Sequence, residues 1–269
     1  MISSAVGTQI RVPATANLMV DSQDRRNGTA WDFTIQKKQS ILNGFFTRIG
    51  ATEVVLEWDK YNIVTGKNDT LIFAQSAAPN SVTVELPEGF YTVAEVLDAS
   101  VTKLNAATTA GRYAVERVGG LYGIVDTTNV NFTGVTGNLA PQMNFEVSVP
   151  AVALPVAPDL RPYRYIDFIS SQLTYNQNLK DATTNVSDQN VLVRWYMSFD
   201  NPVPSDQYGF PVLMGYQPFY LRRLYNPPKQ IAWENNMPIG QLGFQVVDHT
   251  GAVITGNGDW LMTLQVSEN

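Results

Sequence analysis

Cysteine is missing from all 269 positions, and histidine occurs once, at His249. The first absence excludes disulfides, thiolate nucleophiles and cysteine-ligated zinc, and it leaves the folding compartment open. The second leaves a catalytic triad almost nothing to build on. His249 sits in the turn Asp248-His249-Thr250-Gly251, with no acid and nucleophile identifiable beside it. Charge is scarce too: Asp, Glu, Lys and Arg make up 16% of the chain, against about a quarter in an average protein. The net charge of −6 argues against wrapping nucleic acid, which needs Lys and Arg to neutralise phosphates. No apolar run approaches the ~20 residues that span a bilayer, so no membrane-spanning segment is expected. Met1–Arg11 lacks the basic start and apolar core of a secretory signal. Neither GxxxxGK[ST] nor GxGxxG occurs, which removes the common phosphate-binding loops.

What remains is a chain with 44% hydrophobic residues, enough for a core without staples. Strand signals dominate from Trp31 onward. Trp31, Phe33 and Ile35 alternate with Asp32, Thr34 and Gln36, Val54, Leu56 and Trp58 alternate with Val55, Glu57 and Asp59, and Val82, Val84 and Leu86 repeat the pattern before Pro87. Arg112–Val118 and Leu121–Asp126 flank Gly119-Gly120, a two-residue hairpin turn. Further strands are predicted at Met143–Val149, Tyr165–Tyr175, Val191–Phe199, Gly215–Leu221, Gln241–Asp248 and Trp260–Val266. One helix is predicted over Val93–Asn105. Thr92 and Glu95 form a capping box, and Val93, Val96, Leu97, Val101 and Leu104 share a face. Residues 1–30 read as an extended N-terminal arm, interrupted by Pro13 and ordered by partners. Asn129–Gln142 reads as a loop or insertion, and prolines mark long connections near Pro150–Pro162 and Pro202–Pro211. The fold class is therefore all-β. The expected organisation is an arm over 1–30 and one sandwich domain over 31–269, with a helical insertion near 92–106.

Candidate chemistry is thin. The basic pairs Arg25-Arg26, Lys37-Lys38 and Arg222-Arg223 read as solvated or interface pairs. Asp21 with Asp24, and Asp200 with Asp206, fit no calcium loop and read as turn formers. Glu53, Glu57 and Asp59 could supply glycosidase carboxylates, but they alternate with a buried face and read as its solvated side. Four N-x-[ST] sequons occur, at Asn27, Asn68, Asn131 and Asn185. The clusters Arg194-Trp195-Tyr196 and Phe219-Tyr220-Leu221 read as strands with aromatics on both faces. No catalytic, cofactor-binding or metal-binding residue is assigned, no cofactor is expected, and the chain is not read as an enzyme.

Several segments carry a resemblance. Val20-Asp21-Ser22-Gln23-Asp24-Arg25 leads to Gly28-Thr29 and Asp32-Phe33-Thr34-Ile35. Pro87-Glu88-Gly89-Phe90-Tyr91-Thr92 enters the helix. Pro227-Pro228-Lys229-Gln230-Ile231-Ala232-Trp233 precedes Leu242-Gly243-Phe244-Gln245-Val246-Val247-Asp248. Together they resemble the minor capsid and penton proteins of virophages, polinton-like viruses and large eukaryotic DNA viruses. Where those proteins usually have a more apolar run, this chain has Glu57-Trp58-Asp59-Lys60-Tyr61-Asn62-Ile63. The resemblance implies a single jelly roll of about eight main strands in a virion shell. Double jelly-roll capsid proteins need about twice one sandwich. A shorter subunit suits the fivefold vertices of an icosahedral double-stranded DNA virus, as a ring of five touching the major capsid protein and other minor capsid proteins. Another minor capsid or cement role, or a carbohydrate-binding β-sandwich, are the alternatives.

Overall fold

The computed structural model describes residues 15–36, 48–76, 78–108, 112–118, 120–128, 132–148, 151–174, 191–197, 204–213, 216, 218–226, 231–232 and 239–267. In chain order the first strands are β1 (Thr15–Asp21), β2 (Asn27–Thr29), β3 (Asp32–Gln36), β4 (Arg48–Trp58), β5 (Thr70–Gln75) and β6 (Ser81–Glu85). Helix α1 (Val93–Ala107) follows, then β7 (Tyr113–Val118), β8 (Leu121–Asp126) and β9 (Phe132–Thr136). A short helix α2 (Ala140–Met143) leads to β10 (Glu146–Ser148), β11 (Ala151–Ala153), β12 (Tyr165–Ile169) and β13 (Val191–Tyr196). Then come β14 (Phe219–Leu224), β15 (Ile231–Ala232), β16 (Gln241–Asp248) and β17 (Trp260–Ser267). The fold is all-β. It divides into two compact units: Met1–Glu57 with Tyr165–Trp195 and Tyr220–Asn269, and Trp58–Arg164 with Tyr196–Phe219.

The first unit is built on two sheets. One has the order β1-β17-β4-β14, with β15 also on β4; the other runs β13-β12-β16-β3-β2. The eight principal strands, numbered along the chain from β1 through β3, β4, β12, β13, β14 and β16 to β17, therefore lie in the orders 1-8-3-6 and 5-4-7-2. That interleaving is a jelly roll, so the eight-strand expectation holds. The sheets meet face to face around Trp260 of β17. Its ring centroid lies 5.4 Å from Phe33 of β3, 5.0 Å from Phe168 of β12 and 6.0 Å from Phe244 of β16. The indole Nε1 donates to the Ala30 carbonyl at 2.7 Å, so the wedge buries no unpaired donor.

Strand β4 shows how an alternating pattern survives a slip. Ile49 and Ala51 point inward at odd positions, whereas Val54 and Leu56 point inward at even ones. One extra residue reconciles them: Glu53 faces Thr263, but Ala51 faces Leu264, leaving Thr52 as a bulge. Its backbone carbonyl accepts from Tyr225 N at 2.9 Å, and its hydroxyl donates to the Thr263 carbonyl at 3.1 Å.

The second unit has its own sheets, β10-β11-β8-β7 and β6-β5-β9, and its own core. Phe73 of β5 and Tyr113 of β7 both pack on Phe132 of β9, at 6.0 and 5.8 Å. Helix α1 adds Val93, Val96, Leu97 and Leu104 to this core, while Val101 is only partly buried. Its capping box forms as the sequence predicts. Thr92 Oγ1 accepts from Glu95 N at 3.2 Å, and Glu95 Oε2 accepts from Thr92 N at 2.7 Å. The helix runs to Ala107 rather than fraying after Asn105. The Asn105 amide holds Tyr113 by both its backbone groups, at 2.8 and 3.0 Å, and so ties the helix end to β7. Arg112 grips Asp126 with Nε and Nη2, at 3.0 and 2.8 Å, and Thr128 donates to the other carboxylate oxygen through N and Oγ1.

Several expectations are corrected. Of the expected arm, residues 1–14 lie outside the described residues, and Thr15–Asp21 and Asn27–Thr29 are strands. β1 pairs with β17 from Thr15↔Ser267 to Asp21↔Leu261 and is the first principal strand of the roll. Only Val20 of β1 is buried, so this edge strand is held by backbone bonds and shows no period. The stretch 31–269, expected as one domain, spans both compact units, and α1 belongs to the second together with seven strands. The supposed loop Asn129–Gln142 contains β9 and most of α2, and Phe132 is buried. Met143 ends a helix, so the strand expected at Met143–Val149 narrows to β10. Strand β5 was not expected at all, although Leu71 and Phe73 are fully buried. β12 stops at Ile169, and β14 lies later than Gly215–Leu221. The glycine turn is placed correctly: Val118 pairs with Leu121, and Gly120 has φ +91°.

Three outcomes are expected. Trp260→Ala removes the wedge and should destabilise the protein by about 3–5 kcal/mol in urea unfolding. Thr92→Ala should cost about 1 kcal/mol by the same measurement. Burial pushes the Asp126 carboxyl up, but Arg112 and Thr128 outweigh it and hold the group below its ordinary 3.8. The folded value is depressed, so this contribution is complete above about pH 5 and lost as pH falls through the folded value. Asp126→Asn should lower the unfolding midpoint at neutral pH and flatten its decline in acid.

Candidate functional site

His249 follows β16, its ring 6.2 Å from that of Tyr165 and edge-on to it. Its Nδ1 is buried without a hydrogen-bond partner among the described residues. The neighbouring Asp248 is engaged in the turn: one carboxylate oxygen accepts from Thr250 N, Thr250 Oγ1 and Ala252 N. That is turn chemistry.

Tyr165 also meets a group that sequence reasoning missed. Arg194 of β13 donates Nε and Nη2 to the two carboxylate oxygens of Asp167 on β12, at 2.7 and 2.8 Å. Its guanidinium carbon lies 3.9 Å from the Tyr165 ring centroid. β12 and β13 are neighbours in their sheet, which places the three side chains together. The fork and the stack satisfy both ions, so the arrangement holds the sheet and offers no free acid or base.

Most of the acidic candidates are spent on structure as well. Asp21 accepts from Gln23 N at 2.8 Å and caps a 3₁₀ turn over Ser22–Asp24. Asp206 receives Tyr208 N and Phe210 N on one oxygen and Ala94 N, in the first turn of α1, on the other. Its expected companion Asp200 lies outside the described residues. Glu53 pairs with Arg222, Asp59 with Lys60, and Glu57 is exposed on β4. Among the described residues no three Asp, Glu or His side chains converge on a metal-sized point.

The sequons divide. Asn27 is exposed in β2, but Asn68 is buried, accepting from Val64 N and donating to the Asn62 carbonyl and Gln142 Oε1. Asn131 and Asn185 lie outside the described residues, as do Lys37 and Lys38. Arg25 pairs with Asp259, and Arg26 donates to Gln36 Oε1.

The ionisable groups that shift do so away from neutrality. The side chain of Asn138 and the backbone N–H of Gly66 hold Asp69 low, and burial of Asp159 is outweighed by Arg161. Burial pushes Tyr208 and Tyr216 up to about 12. General acid–base catalysis needs a group poised near the working pH, and none of these is.

What the first unit does present is a sheet surface. Tyr220, Arg222 and Leu224 alternate outward along β14, and Tyr220 and Leu224 are 74% and 63% exposed. Arg222 reaches Glu53, which faces Thr263, which in turn faces Met19 on β1. One outer face therefore carries Met19, 66% exposed, at one edge and the tyrosine and leucine at the other. The charge between them is paired within the sheet. Such a face is suited to packing against protein. The cluster Arg194-Trp195-Tyr196 alternates as expected, with Trp195 buried and Tyr196 exposed.

No family model and no curated protein sequence matches the chain. Among solved structures, the fold is similar to the crystal structure of the mavirus penton protein. The TM-score is 0.51 at 11% sequence identity, over 96% of this chain and 100% of that one.

Proposed function

We propose that this chain is a structural subunit of an icosahedral virion of a double-stranded DNA virus, occupying the fivefold vertex as a ring of five. The observation that carries the reading is the extent of the fold likeness to a penton protein, which runs over nearly the whole of both chains. A jelly roll alone serves many functions, but agreement over the full length includes both units of this chain. The chemistry of the side chains is in keeping: His249 lies against an aromatic ring, and of the carboxylates weighed as catalytic Glu53 and Asp59 are paired while Glu57 lies exposed on β4.

Charge supports a division of labour. The first unit holds 12 acidic and 11 basic side chains, the second 12 acidic and 7 basic. A nearly neutral unit repels its own copies less, while the more acidic one favours water. A head-to-tail ring uses different surfaces of each copy. The outer face bearing Met19, Tyr220 and Leu224 is our candidate for one of them. The major capsid protein and other minor capsid proteins are the proposed outer neighbours.

The deciding measurement is position in the particle. Electron cryo-microscopy of the parent virion should place this chain around the fivefold axes, and density at two- or threefold sites instead would overturn the reading. In isolation, Tyr220→Asp with Leu224→Asp should abolish five-membered rings seen by analytical ultracentrifugation at high concentration, with the unfolding free energy in urea unchanged to within about 0.5 kcal/mol. Esterase, phosphatase and glycosidase screens should return background rates.

A further inference from the structure

Three Asn-Gly pairs occur, at Asn27, Asn43 and Asn257. The second lies outside the described residues. The other two sit in contrasting settings. Asn27 belongs to β2 and faces Thr34 of β3. The following Gly28 is pressed so closely on that strand that an added Cβ would lie 2.0 Å from the Asp32 carbonyl oxygen. Asn257 is exposed, outside every strand, and flanked by Gly256 and Gly258, both with φ +97°.

We propose that Asn257 is a site of spontaneous backbone modification, converting through a succinimide to aspartate and isoaspartate. Lacking a Cβ, glycine leaves its amide nitrogen free to approach the preceding side chain. The deprotonated Gly258 nitrogen attacks the Asn257 side-chain carbonyl carbon. A nitrogen–carbon bond forms, the bond to the side-chain NH2 breaks, and ammonia leaves with the proton. Water then opens the ring at either carbonyl. No oxidant, metal or enzyme is required. At Asn27 the same attack needs the β2–β3 pairing to open first.

The loop is a consequential place for this reaction. The Gly256 and Asn257 carbonyls share the Nε1–H of Trp31, at 3.1 and 3.2 Å. Two residues on, Asp259 accepts from Ser22 Oγ at 2.8 Å, and that hydroxyl accepts from Trp260 N at 3.0 Å. The connection into β17 thus clasps the segment between β1 and β3. In isoaspartate the main chain is rerouted through the side-chain carbon. The Asn257 carbonyl, one of the two that hold Trp31, becomes a free carboxylate, and the clasp gains a methylene and a negative charge.

The test is ageing of the full-length protein at physiological temperature and mildly alkaline pH, followed by peptide mapping. Asn257 should acquire the mass change of NH2 replaced by OH, largely as isoaspartate, at least about ten-fold faster than Asn27. The rate should rise with pH, and Asn257→Gln should abolish the change at that position. Aged protein should melt lower than Asn257→Asp, which carries the charge without the rerouting. An Asn257 that stays intact while the urea-unfolded chain converts would overturn the proposal, as would equal rates at Asn27 and Asn257 in the folded protein.

Discussion

The first unit depends on one indole. Trp260 fills the space between the two sheets, touches aromatic rings from three strands of the opposite one, and spends its only donor on Ala30. Around it the periods of β16 and β17 are dictated: Leu242, Phe244 and Val246, like Met262, Leu264 and Val266, can face only inward. Because the strand period is two, a slip of one residue would turn this whole set toward water. The bulge at Thr52 is the accommodation β4 makes to that constraint, and the pairing of Tyr225 with its carbonyl carries the accommodation to the segment after β14.

The strands that could be read from the sequence are those whose burial is one-sided. Val54, Leu56 and Trp58, or Val82 and Val84, announce themselves because water lies on the other face. Strand β5 is buried more evenly, so Thr70–Gln75 shows a short apolar run without a clear period. β1 fails to register for the opposite reason, being an edge with one buried side chain. Helix α1 was legible in all but its last turn, since both its amphipathic face and its capping box are local. The second unit was not. Alternation identifies a strand but not its partner, and the return of residues 196–219 to a unit begun at Trp58 is long-range information.

The same limit applies to functional chemistry. His249 stood out by rarity, yet it lies against a tyrosine in a turn. Arg194 and Asp167 are 27 positions apart and looked like ordinary strand residues, although together with Tyr165 they form the best-organised ionic group of the first unit. The signal that could have found them is the pairing of two charges on strands otherwise filled with Val, Leu, Ile and Phe. A charge persists in such a setting when an opposite charge is held in reach.

The strand order has a further meaning for biogenesis. β17, which lies between β1 and β4 in its sheet, is the last of the three to be translated, and Thr15 pairs with Ser267. A nascent chain that has emerged as far as β16 therefore holds β1 and β4 with no strand between them. Both present unpaired backbone edges until translation has passed Ser267. The second unit, whose local hairpins pair sooner, can settle while the ribosome is still at work. A crowded cell making many copies at once would have these waiting edges meet one another before their own partner arrives, a hazard that holdase chaperones are suited to relieve.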